Sequence, residues 1–89
     1  MTSYGARIFD RSTGRFVFTA PCVLSPYRVG LVTAGAVAAL VNRDGLRSQD
    51  LELRSFAVAG NETRPMDRLE EAAMNAAFQQ YISEARNAA

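Results

Sequence analysis

The sequence predicts a small α+β domain in the order β-β-α-β-α, with a three-stranded, mainly antiparallel sheet and two helices on one of its faces. Three stretches carry that expectation. Residues 8–18, IFDRSTGRFVF, place two short apolar runs around a polar turn containing Gly14, the pattern of a β-hairpin. Residues 29–41 are apolar except for Thr33. Residues 65–89 are rich in Ala, Glu, Gln, Leu and Met, all good helix formers.

The hairpin strands are expected at about 4–10 and 15–24, with Pro21 setting the end of the second at an edge or a bulge. Gly14 can take the left-handed conformation that closes the turn, and the Asp10 carboxylate can accept turn N–H groups. A three-residue loop pairs Phe9 with Val17 and Ile8 with Phe18. One face then carries Phe9 and Val17, the other Ile8, Phe16 and Phe18. A four-residue loop changes the pairs but leaves both faces apolar.

The first helix has two candidate starts, Ser25-Pro26 and Thr33, and Asp44-Gly45 ends it. Gly30, Ala34 and Ala38 fall on one stripe of small residues, which is expected to approach the sheet closely. Residues 51–59, LELRSFAVA, alternate and then turn apolar, which predicts the third strand. GNETRP, residues 60–65, reads as a loop. On the last helix Leu69, Ala73, Ala76 and Ala77 form a stripe suited to the sheet. Met74, Phe78, Tyr81, Ile82 and Ala85 form a bulkier one, open to a partner or to cover by the first helix or the N-terminal segment.

With 89 residues, one domain is expected, and a chain this short buries only about 60–65% of its unfolded surface. It has one cysteine and no histidine, which excludes an intrachain disulfide and leaves a zinc site of the usual kind without ligands. No metal or other cofactor is therefore expected. Cys22, in an apolar strand with no histidine to activate it, reads as a small buried hydrophobe. A Ser–His–Asp arrangement is impossible, and with no lysine there is neither a Schiff base nor a Walker loop. The carboxylates have ordinary turn, strand and helix-start positions. The expectation is that the chain is not an enzyme.

The net charge is +1 and all ten basic residues are arginine, which gives no strong pull toward nucleic acid or an anionic membrane. The N-terminus lacks a signal pattern and no apolar run is long enough to span a bilayer, so the expected address is cytoplasmic. The only basic cluster with aromatic neighbours is Arg7, Arg11 and Arg15, near Phe9 and Phe16. An Arg-based nucleic-acid surface on the hairpin is accordingly the alternative function.

The leading expectation is a non-enzymatic protein-interaction module, an inhibitor, adaptor or assembly subunit of the kind made by bacteria or their phages. It would homodimerise or dock on a larger protein through Phe9, Phe16 and Phe18 of the sheet and through Met74, Phe78, Tyr81 and Ile82 of the last helix. A third alternative is a small non-catalytic subunit of an enzyme complex.

Overall fold

A computed structural model describes the backbone of residues 1–20 and 22–88, and side chains as far as Glu84. The elements are β1 (Thr2–Asp10), β2 (Arg15–Thr19), α1 (Pro26–Asn42), a 3-10 turn (Ser48–Asp50), β3 (Leu51–Ala59), β4 (Glu62–Pro65) and α2 (Arg68–Ala88). The sheet is antiparallel throughout, in the order β2-β1-β3-β4. It therefore has four strands and not the three expected.

The additional strand is β4, in the segment read as a loop. Its signal is the Gly60-Asn61 pair, which joins Ala59 to its partner Glu62 as a two-residue hairpin turn. Gly60 has φ 61°, as the first central residue of a type II′ turn requires.

The expected role of Asp10 is seen directly. Its carboxylate accepts from the Ser12 N–H at 2.9 Å, the Ser12 hydroxyl at 2.7 Å and the Thr13 hydroxyl at 3.2 Å. Gly14 has φ 71°, and its N–H donates to the Asp10 carbonyl at 2.9 Å. The loop spans four residues, and Asp10 pairs with Arg15, Phe9 with Phe16 and Ile8 with Phe18. The register shifts between Ile8 and Phe9, leaving Val17 as the extra residue of a bulge. That residue sends Phe16 and Phe18 to opposite faces, so the expected grouping of Phe16 with Ile8 is corrected. Phe9 and Phe16 share one face, Ile8 and Phe18 the other.

Beyond β2 the chain still follows β1, through an Ala20 N–H to Ala6 carbonyl bond of 2.8 Å and a bridge between Tyr4 and Val23. Cys22 lies exposed between buried Ala20 and that bridge, so it is not the buried hydrophobe expected of a residue inside a strand. The expectations for Pro21 and for the Ala85 side chain lie outside the described residues.

The Ser25-Pro26 start of α1 holds. Thr33 sits inside the helix, its hydroxyl donating to the Val29 carbonyl at 2.8 Å. The Leu46 N–H returns to the Leu40 carbonyl past Gly45 at φ 70°, the left-handed helix stop expected at Asp44-Gly45. At α2, the Glu70 N–H donates to Asp67 and the Asp67 N–H to Glu70, both at 2.9 Å. This reciprocal box satisfies two donors that a helix start otherwise leaves unpaired.

The core joins Ala6 of β1, Val29 of α1, and Met66 and Met74 at α2, flanked by Tyr4, Val23 and Leu53. Both helices thus share the sheet face that bears Tyr4, Ala6 and Ile8. The small-residue stripe of α1 meets α2 rather than the sheet: a Cβ on Gly30 would overlap the Met74 carbonyl oxygen and lie 2.8 Å from Ala77 Cβ. On α2, Met74 and Ala77 are buried while Leu69 is 83% exposed and Ala76 is exposed. The stripe headed by Leu69 is therefore split: Ala77 is wholly buried and Ala73 half-buried, while Leu69 and Ala76 face solvent. Burying Met74 removes more apolar surface from water than burying Leu69's alanine neighbours would.

Candidate interaction surface

No element of the described chain covers the other face of the sheet. It is built from alternate residues: Gly5, Arg7 and Phe9 of β1, Phe16 of β2, Glu52, Arg54 and Phe56 of β3, and Thr63 and Pro65 of β4. Phe9 and Phe16 meet edge to face at 5.2 Å between centroids, a favourable aromatic geometry. Phe16 remains 47% exposed.

Two guanidinium groups lie on these rings. Arg54 stands 4.5 Å from the Phe9 centroid and 5.5 Å from that of Phe16, and Arg7 stands 5.6 Å from Phe16, all within cation–π range. Arg7 and Arg54 are direct cross-strand partners, a like-charge arrangement that disfavours the sheet. Arg54 Nε reaches Glu52 at 3.3 Å. Among the described residues Arg7 has no carboxylate partner.

A groove of about 410 Å³ runs over this face, lined by Arg7, Phe16, Arg54, Phe56 and Pro65 among others. Gly5 lies beneath the Phe56 ring, which lines the groove. A Cβ there would come within 2.7 Å of Phe56 Cζ. Arg64 borders the groove, but its strand partner is Ala57 of the helix side, and its guanidinium grips Glu70 at 2.7 and 3.0 Å. That paired fork, helped by the Asp67 N–H, holds the Glu70 carboxyl at about 2. Glu70 in turn raises the pKa values of Arg64 and Tyr4.

Of the residues expected from sequence, Phe9, Phe16 and Arg7 are brought together here. Phe18 lies across from Ile8 on the helix side. Arg11 turns to the 3-10 segment, donating to the Gln49 carbonyl at 3.1 Å. Arg15 pairs with Asp10, one register step from the Phe9–Phe16 pair. Met74 is in the core, Phe78, Tyr81 and Ile82 are half-buried, and Tyr81 reaches toward Gly35 of α1. Sequence reasoning missed Arg54 as a member of the site. The alternation LELR points it to the same face as Phe56, but only the β1–β3 register places it beside Arg7.

Among the described residues no group of three or more His, Cys, Asp and Glu could hold a metal ion, and no helix is long and apolar enough to cross a membrane. No protein-family model, curated protein or solved structure matches this chain.

Proposed function

We propose that this chain is a non-enzymatic protein-interaction module, an inhibitor, adaptor or assembly subunit, that receives a carboxylate-bearing, partly apolar segment of a partner protein on its open sheet face. The observation that carries this reading is the Arg7–Arg54 cross-strand pair stacked on Phe9 and Phe16. Two like charges side by side weaken the sheet, and an anionic partner would relieve them. Guanidinium groups lying on rings keep their N–H edges free for bidentate bonds to carboxylates.

A single-stranded nucleic acid is the poorer fit. Base stacking needs open ring faces, and this chain's own arginines occupy Phe9 and Phe16. Of the three hairpin arginines only Arg7 reaches the face.

The test is a titration of the protein with two fluorescent probes, a peptide alternating Glu and Leu and an oligo-dT strand, at low and physiological salt. The peptide is expected to bind, and Arg54→Ala to weaken it roughly tenfold or more, as losing one partner of a charge pair does. Preferential binding of oligo-dT, falling steeply with salt, or binding of neither probe, overturns the proposal.

A further inference from the structure

The sheet has a step in it. β3 is nine residues long, and β1 runs beside all nine without a break in register, whereas β4 covers only residues 56–59. Ala59 and Glu62 close a two-residue turn, so the odd-numbered residues of β3 point their N–H and C=O groups to the outer side. The even-numbered Asp50 accordingly turns its carbonyl the other way, to the Arg11 N–H after β1. Past the end of β4 the outward groups belong to Leu53 and Ser55. Among the described residues neither has a backbone partner for its N–H or its carbonyl there. At Leu51 the edge closes again, because the Ser48 carbonyl takes the Leu51 N–H.

We infer that an extended segment of the partner adds itself to this bare edge as a short antiparallel strand, with an acidic residue opposite Arg54 and apolar residues opposite Leu53 and Ser55. This mode of binding rests on the proposed function, whose partner it holds by the backbone. Unpaired N–H and C=O groups along a strand edge have an extended backbone as their complement. The other two edges are blunted: β2 carries the bulge at Val17, and β4 ends in Pro65, which has no N–H to offer. Residues 52–55 carry neither device. The side chains select the sequence. Arg54 stands on the open face and gives Glu52 only its Nε. A carboxylate-bearing residue directly across from it would lie about 5 Å away between Cβ atoms. Leu53, on the helix side, is only half-buried against the core, which leaves apolar surface for the flanking residues. The groove joins the face to the edge, since its lining runs from Arg7 and Phe16 through Arg54 to Ser55 and Pro65, where β4 stops.

Peptide N-methylation tests the inference without altering the protein. In an antiparallel pair the residues opposite Leu53 and Ser55 point their N–H groups at β3, and the residue opposite Arg54 points its own away. The alternating Glu and Leu peptide is therefore made in two further forms, methylated on every Leu nitrogen or on every Glu nitrogen. The Glu-methylated form is expected to bind as the parent does, and the Leu-methylated form roughly tenfold or more weaker. A Leu-methylated form that binds as well as the parent overturns the inference and leaves the proposed function standing. A parent peptide that does not bind removes both. Amide hydrogen exchange supplies a second readout. The Leu53 and Ser55 amides are expected to exchange fast in the free protein and roughly tenfold or more slowly when saturated with the parent peptide. Exchange that the bound peptide leaves unchanged overturns the inference.

Discussion

Glu70 accepts both guanidinium nitrogens of Arg64 and the N–H of Asp67, and its side chain is only 13% exposed. It ties the start of α2 to the edge strand. Its carboxyl sits at about 2, below the ordinary 4.5, so the charged form is the one the fold stabilises. The stability it adds is whole above about pH 4.5 and is lost as pH falls toward 2. Glu70→Gln is therefore expected to lower the urea midpoint at pH 7, with the gap to wild type narrowing steadily from about pH 4.5 toward pH 2. A gap that stays constant across that range would contradict the ion pair's role. The buried Asp10 carboxyl is also lowered, first by the Ser12 hydroxyl, and adds acid sensitivity of the same sign to both proteins. Asp10 was legible in the sequence because every partner lies within three residues. The Arg64–Glu70 clamp was not, because it requires β4, a strand whose only local sign is a Gly-Asn pair.

At the level of elements, two glycines in α1 separate close packing from open space. A Cβ on Gly30 collides with backbone of α2, which cannot swing aside, while one on Gly35 finds only the Tyr81 hydroxyl at 3.7 Å. Gly30→Ala is expected to cost about 2 kcal/mol or more through overpacking. Gly35→Ala is expected to be neutral or to gain up to about 1 kcal/mol from helix propensity. Thermal unfolding of the two variants decides the matter, and equal effects would refute the packing asymmetry. The small-residue stripe announced a close approach but not the neighbour, because stripe spacing reads the same against a sheet or a helix. Both helices themselves were legible, from composition, the Ser25-Pro26 start and the Gly45 stop. The bulge at Val17 was not, since Phe16, Val17 and Phe18 are all apolar and no alternation marks an extra residue, so only pairing with β1 reveals it. It is this bulge that moves Phe16 to the open face and leaves Phe18 inside, and so assembles half of the candidate site.

As a whole the molecule is a plate of 39 × 31 × 19 Å, one sheet thick and one helix layer thick, with an apolar surface on each broad side. The sequence shows too many apolar positions for two helices to cover, and the structure separates that excess into two unlike halves. The sheet side is cationic and aromatic, suited to a different, anionic chain. The α1 side exposes Leu31 and Val32 between Arg28 and Arg43. If the sheet side receives an anionic segment, binding and folding are linked, and saturating Glu-Leu peptide must raise the urea midpoint. Arg54→Ala is expected to shrink that rise. A wild-type midpoint that does not move with peptide would mean that the sheet side faces water.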